Sequence, residues 1–206
     1  MKAKFTIAML AASTLSACVA GVASSPTTSR ISSVSGGTVN ESLSSEQNGS
    51  VSAAGVGTVA YVTGVDRDRG QMVAAAGISG TPSVGTARTS GSGTYSTNYR
   101  YGVIDNVSRT STTISGVQGS ETGSMSLAAD FDAGTLTGSN SELTVNGTIS
   151  GSTVGGSVTA TYSYSTLRGS INGNLAGSIG RDGVIGTFHG SDSNTVMAGG
   201  LVGTAD

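Results

Sequence analysis

The chain has 206 residues and little charge, with ten Lys and Arg residues against twelve Asp and Glu residues. This balance offers no basic face for nucleic acid, and 33 Gly, three Phe and no Trp exclude a thick core of large side chains. So much Gly also disfavours helices, because Gly is among the poorest helix formers. We therefore expect a small β-structured domain that binds no nucleic acid.

The first 17 residues have the layout of a secretory signal peptide. Lys2 and Lys4 supply the positive start, and an apolar run extends from Phe5 to Ala12. This run is much shorter than the ~20 residues that a membrane-spanning helix needs, so we expect it to be removed after export. Removal takes away both Lys residues, and the eight Arg against twelve Asp and Glu leave a formal charge of −4.

The residues at the cleavage point indicate a lipid anchor. Leu15-Ser16-Ala17-Cys18 resembles the bacterial lipobox, in which diacylglycerol is attached to the cysteine, and a fatty acid such as palmitate is added. Cys18 is the only cysteine, so it cannot form an internal disulfide. More than one acyl chain gives stable anchoring. Val19 in place of Asp implies transport to the outer membrane. The alternative is plain secretion with a stray cysteine near the cut.

Residues 18–56 predict a flexible tether behind the lipidated cysteine, because they are rich in Ser, Gly and Thr and show no sustained apolar period. Some 38 residues of this kind span on the order of 35 Å on average. A short strand around Gly49 to Val56 is the alternative. Residues 57–206 then remain, and roughly 150 residues suffice for one domain with one core.

Beyond the tether, apolar and small residues alternate with polar ones, which is typical of strands with one buried face. The clearest segments are separated by turns and follow one another without a helical pattern of ten or more residues. Only Gln71 to Ala76 resembles a helix, and it is too short. The alternating segments are Met125 to Phe131, Leu143 to Ile149, Val158 to Tyr164, Ile171 to Ile179, Val184 to Phe188 and Met197 to Leu201.

Turn signals lie where such strands must reverse. Asp66 to Gly70, Asp132 to Gly134 and Arg181 to Gly183 all offer Asx or Gly positions that tolerate positive φ. Asn146-Gly147 is ambiguous, because by period it also falls in mid-strand. Short connections between consecutive strands favour an antiparallel meander.

About eight strands fit between Gly57 and Asp206, and closure into a barrel removes both exposed edges. The sequence therefore predicts an all-β fold, a small eight-stranded antiparallel up-and-down β-barrel over residues 57–206, preceded by the tether. A β-solenoid would require a fixed repeat period, which is absent. A transmembrane barrel would require more aromatic residues for its two girdles.

Three stretches of the predicted barrel resemble the β-barrel domain of transferrin-binding protein B-like surface lipoproteins. They span about residues 85 to 203 in the family's order. This chain departs from the two-lobed iron-acquisition members, since it has one barrel and lacks their handle-like subdomains. The stretches are Gly85 to Tyr95 with its Gly-Thr-Tyr step, Ala128 to Gly138 with Ala-Asp-Phe, and the closing pair Gly186 to Gly190 and Ala198 to Gly203.

The resemblance implies an outer-membrane lipid anchor and a non-enzymatic role in binding a host protein or a small solute at the cell surface. We expect a monomer that uses no cofactor. Two other functions stay open from the residues alone. One is a structural or adhesin-like envelope lipoprotein, and the other is a barrel-type inhibitor of a secreted hydrolase.

The residues that catalysis would need are scarce, so we expect no enzyme. One His and one Cys cannot build a zinc site or, after lipidation, a Cys-His dyad. His189 is interpreted as a side chain on the outer face of a strand, beside an inward Phe188. Asp130 and Asp132 are interpreted as part of a turn that follows their strand.

The candidate binding surface is Tyr95, Tyr99, Arg100 and Tyr101, because Tyr and Arg are enriched at the energetic centres of interfaces. The alternative is that these tyrosines, which recur at even spacing, direct their rings into the barrel and only pack.

Overall fold

The computed structural model describes residues 28–30, 43–110, 113–164 and 167–206. The predicted signal peptide and the predicted lipid-bearing Cys18 lie outside these residues. No helix in the described ranges has the length and apolarity needed to span a bilayer. The structure is built from strands joined by turns, which are β1 Thr28–Arg30, β2 Ser44–Ala53, β3 Gly57–Asp66, β4 Gln71–Ser79, β5 Ser92–Arg109, β6 Ile114–Asp130, β7 Thr135–Ser139, β8 Leu143–Ser150, β9 Thr153–Tyr164, β10 Leu167–Ile179, β11 Gly183–Ser191 and β12 Val196–Ala205.

Strands β5 to β12 form a closed barrel in which each strand pairs antiparallel with the next along the chain. The ring closes between β12 and β5, over a register that runs from Val196 opposite Ile104 to Ala205 opposite Tyr95. Short turns between consecutive strands favour an antiparallel meander. Closure then gives the backbone N–H and C=O groups of both edge strands a hydrogen-bonding partner. The prediction of an eight-stranded up-and-down antiparallel barrel is confirmed.

A second sheet, which the sequence patterns did not predict, lies outside the barrel. Its strand order is β1-β4-β3-β2, with β1 parallel to β4 and the other pairs antiparallel. We call it the outer sheet. β2, Ser44–Ala53, lies in the range predicted as tether and close to the strand considered there as an alternative. The predicted boundary at residues 56 and 57 falls between the paired strands β2 and β3, and the first barrel strand begins at Ser92.

The barrel interior is filled by inward side chains from all eight strands. Small residues make room for large ones. Gly119 lies under the ring of Tyr164 and Gly123 lies against the phenol of Tyr99, so that a Cβ at either glycine would overlap a ring. Small and large inward residues together therefore fill this narrow barrel.

The outer sheet covers one side of the barrel, where β11 and β12 lie. Nearly every residue of these two strands is buried, because one set of side chains faces the interior and the other faces the outer sheet. Val59 of β3 packs with Ile185 and Val202 in one apolar cluster, and Met72 of β4 packs with Ala198 in another. We call β11 and β12 the covered wall.

The predicted turns are formed largely as the sequence indicated. Asp66 accepts hydrogen bonds from the backbone N–H groups of Asp68 and Arg69, which closes the β3–β4 turn, and Gly70 there has φ 61°. Gly134 in the β6–β7 turn has φ 66°. Asn146-Gly147 lies within β8, and Gln71 to Ala76 belongs to β4.

Candidate functional site

The three tyrosines proposed as ligand contacts point into the barrel. Tyr95, Tyr99 and Tyr101 lie at alternate positions of β5, and all three are almost completely buried. The rings of Tyr99 and Tyr101 stack with centroids 6.2 Å apart, and Tyr101 meets Phe188 edge-on at 6.1 Å. The structure thus places these rings inside the barrel rather than on its surface. This is the arrangement given above as the alternative to a binding surface.

Each of these tyrosines spans the interior to a backbone or side-chain acceptor. The hydroxyl of Tyr95 donates to the carbonyl oxygen of Gly180 at 2.7 Å, and the hydroxyl of Tyr101 donates to that of Thr161 at 2.8 Å. The hydroxyl of Tyr99 donates to Oε2 of Glu142 at 2.6 Å. Glu142 lies in the β7–β8 loop, so the tyrosines of β5 brace the opposite side of the barrel.

Burial keeps these phenols protonated. It raises the pKa of Tyr99 to about 12, with a further contribution from the hydrogen bond to Glu142. Burial raises the pKa of Tyr101 further still, and the negative charge of Glu121 adds to this. In the opposite direction, the hydrogen bond from Tyr99 holds the pKa of Glu142 below its usual range. The phenols therefore act as hydrogen-bond donors and not as bases.

Arg100 is the one residue of the predicted set that points outward. Its position between Tyr99 and Tyr101 places its side chain on the outer face of β5, where it is exposed. Burial raises the pKa of Tyr61 in β3, while the positive charge of Arg100 works in the opposite direction. Arg100 therefore lies beside the outer sheet and is separated by the barrel wall from the tyrosines predicted to act with it.

The acidic residues that follow or end β6 and β11 close turns. Asp130 Oδ1 accepts the N–H groups of Asp132 and Ala133 at 3.0 and 2.8 Å. Asp192 Oδ1 accepts those of Asn194 and Thr195 at 3.0 and 2.8 Å. Both sets of bonds satisfy backbone donors locally, as expected of Asx turns.

His189 lies on the outer face of β11, since its neighbour Phe188 belongs to the interior cluster. It is buried and its Nε2 atom has no hydrogen-bond partner. Burial lowers the pKa of His189. Over the residues that the structure describes, no group of three or more His, Cys, Asp and Glu side chains is arranged to hold a metal ion.

A feature that sequence reasoning missed is the unequal length of the barrel strands. β7 has five residues and β6 has 17, and β6 pairs with β7 only from Ala128 to Asp130. The short strand β7 therefore leaves the barrel wall incomplete at the end of the barrel where Glu121 and Tyr164 lie. The sequence did contain a signal, because the turns at Asp132 to Gly134 and around Asn140 leave room for only a short strand between them.

The gap is partly bridged by side chains. Nδ2 of Asn140 donates to the carbonyl oxygen of Ser124 in β6 at 3.1 Å. Across the gap, the backbone N–H of Ser163 in β9 points to Oε1 of Glu121 at an N···O distance of 3.5 Å. Carboxylates and the backbone of β6 and β9 thus lie side by side at this end of the barrel. We take this end as the candidate functional site.

No protein-family model matches the sequence, and the search of curated proteins finds no relative. Solved structures do show similarity. The isotype 1 transferrin binding protein B of serogroup B Neisseria meningitidis is 15% identical over 78% of this chain and 35% of that chain, with a TM-score of 0.45. A Trp-176-Ala mutant of transferrin binding protein B from Haemophilus parasuis is 12% identical over 77% and 36%, also with a TM-score of 0.45.

HpuA from Kingella denitrificans, solved in complex with human haemoglobin, is 15% identical over 76% of this chain and 59% of that chain, with a TM-score of 0.40. This chain thus spans little more than a third of the transferrin-binding proteins and about three-fifths of HpuA. The structures include the kind of protein that the sequence resemblance named.

Proposed function

We propose that the chain is an outer-membrane-anchored surface lipoprotein whose barrel is a rigid, non-enzymatic mount for binding a host protein. One observation carries this proposal, namely that the interior is occupied by the protein's own side chains. Tyr95, Tyr101, Leu127 and Phe188 are almost completely buried there. A ligand then has to be recognised on the outside of the barrel, which suits a macromolecule better than a small solute.

The anchor in this proposal is Cys18, with residues 1–17 as the removed signal peptide and the following residues as the tether to the outer sheet. Because the barrel is closed and Tyr95, Tyr99 and Tyr101 are hydrogen-bonded across its interior, loops and edges can present a partner surface without moving. Binding to a rigid mount avoids part of the entropy cost of ordering an interface.

The anchor is tested by labelling cells that produce the full chain with radioactive palmitate. We expect label in the wild-type protein and none in a Cys18→Ala variant, which should also leave the membrane fraction. A matched control, Ser16→Ala, leaves the cysteine in place and should be labelled. Unlabelled wild-type protein would contradict the anchor but not the barrel.

Recognition is tested with residues 18–206 immobilised through the predicted tether and exposed to host serum. We expect one saturable host protein to be retained and to be competed by the free chain. Equal retention of the same proteins by an unrelated β-barrel of similar charge would contradict the proposal.

A further inference from the structure

We propose that the edge of β6 between Gln118 and Ser124 receives an extended segment of the partner polypeptide that carries a basic side chain. We call this stretch the β6 edge. The inference rests on the proposed binding function and specifies where and how the partner is held.

The β6 edge is hydrogen-bonded to a neighbouring strand on one side only. β5 pairs with it throughout, from Gln118 opposite Ile104 to Ser124 opposite Asn98. On the other side, β7 pairs with β6 only from Ala128 onward, and among the described residues no strand continues along the β6 edge. The ring of paired strands is complete over the rest of the barrel. The gap beside the β6 edge is therefore an opening in the wall, which we call the notch.

The direction of the free backbone groups follows from the alternation of the strand. In an antiparallel strand the N–H and C=O of one residue point to the same side, and those of the next point to the other. The carbonyl oxygen of Ser124 points into the notch, where Asn140 donates to it. The N–H and C=O groups of Thr122 and Ser120, two and four residues before Ser124, therefore also point into the notch.

The sequence of β6 lacks the two most direct edge-blocking residues. Natural edge strands are commonly blocked by Lys or Pro, whereas Ile114 to Asp130 contains neither. The side chains of Gln118, Ser120 and Thr122 are exposed, and Val117, at the same end, is 45% exposed. The backbone donors and acceptors of Gln118, Ser120 and Thr122, spaced as in a strand, match one class of ligand, a polypeptide in extended conformation.

The charged side chains at the notch favour an occupant with a basic side chain. Glu121 points to the interior side of β6 and Glu142 lies across from it, and both charges act on Tyr101. A basic side chain on the inserted segment would lie between these two carboxylates. A second copy of this chain fits less well, because antiparallel pairing of two β6 edges about Glu121 would bring like charges together.

The test uses a displayed library of random twelve-residue peptides selected against residues 18–206. Three variants are then compared with the wild-type chain, namely Ser120→Pro, Ser120→Ala and Glu121→Lys. Proline removes an N–H that points away from β5, so the β5–β6 pairing is retained and the barrel should still fold. Alanine at the same position is the matched control, since it keeps the backbone donor.

We expect the selected peptides to contain Lys or Arg, and to bind Ser120→Pro at least tenfold more weakly while binding Ser120→Ala as they bind the wild type. Glu121→Lys should reverse the preference from a lysine peptide to its glutamate counterpart, a readout that holds even if Ser120→Pro fails to fold. Bound peptide should slow amide exchange at Ser120 and Thr122.

The inference is overturned if no peptide is enriched, or if enriched peptides bind Ser120→Pro and Glu121→Lys unchanged. Retention of a serum protein that is equally strong with wild type and Ser120→Pro would overturn the β6 edge as the contact while leaving the proposed binding function intact. Loss of serum binding in all forms would contradict the binding function itself.

Discussion

The two sides of the barrel differ in what lies outside them. The covered wall, β11 and β12, has side chains buried on both faces, because the outer sheet packs on its exterior. The opposite side, β6 to β9, which we call the open wall, alternates between buried and exposed residues along each strand. The same barrel therefore presents a wall that behaves like the centre of a sandwich and a wall that behaves like a solvated sheet.

This difference can be read in the sequences of the strands. In the open wall, Ser and Thr occupy the outward positions between apolar inward residues. In β11 and β12 the outward positions hold the apolar Ile185, Ala198 and Val202 beside the polar Thr187 and His189, all of them buried, so the regular alternation of buried and exposed residues is lost. Strands buried on both faces lose alternation in this way. The composition of a strand thus indicates whether its outer face is covered, whereas its pairing with neighbouring strands does not.

The largest effect is expected where the two walls are connected through the interior. Tyr101→Ala should destabilise the fold by about 3–5 kcal/mol, as is usual for a buried aromatic residue, because Tyr101 packs on Phe188 of the covered wall and donates to Thr161 of the open wall. Chemical denaturation monitored by circular dichroism measures this. Tyr101→Phe, which keeps the ring, should lose only about 0.5–1.5 kcal/mol. Equal losses would mean that packing does not dominate.

A smaller effect is expected where the outer sheet meets the covered wall. A Cβ at Gly200 would overlap Val59 of β3, so Gly200→Ala should cost about 1–3 kcal/mol through overpacking. Hydrogen exchange should accelerate in β3 and β4 more than in β8 and β9. The control is Gly155→Ala in the open wall, where a Cβ would meet nothing within 4 Å. A comparable loss in both variants would remove the distinction between the walls.

Polarity provides a finer comparison. Val202→Thr places a hydroxyl between the covered wall and the outer sheet, at a fully buried position, and should cost about 1–3 kcal/mol if the hydroxyl finds no partner. Val117→Thr in the open wall changes a side chain that is 45% exposed and should stay within about 0.5 kcal/mol of wild type. Thermal unfolding of the two variants side by side is sufficient, and reversed rank order would refute the assignment of faces.

The smallest effect concerns pH. Burial holds the pKa of His189 below its ordinary value of 6.5, so the folded state binds fewer protons than the unfolded state once the pH falls below about 6.5. Stability should be fully retained above that pH and decline as the pH is lowered towards the folded-state pKa. Because His189 is the only histidine, His189→Gln should flatten the melting temperature between pH 7.5 and 5.5. An unchanged slope in this variant would show that another group titrates.

The barrel could be predicted from sequence because alternation, turn residues and strand number agree with one another. The outer sheet was missed because Gly49, Ser50 and Ser52 in β2 read as linker composition, and only pairing with β3 makes them a strand. For β5, even spacing of Tyr99 and Tyr101 fixed a shared face but not which face. The β6 edge was missed because it depends on the register of three strands, which local patterns do not determine.

Under the proposed anchor at Cys18, the position of β1 would limit how far the outer sheet can stand from a membrane. Thr28 lies opposite Gln71, the first residue of β4, and is ten positions after Cys18 in sequence. Ten residues cannot span more than about 36 Å even when fully extended. With the lipid on Cys18, the outer sheet would be held near the bilayer, and a partner would have to approach a protein that lies close to the cell surface rather than one carried far above it.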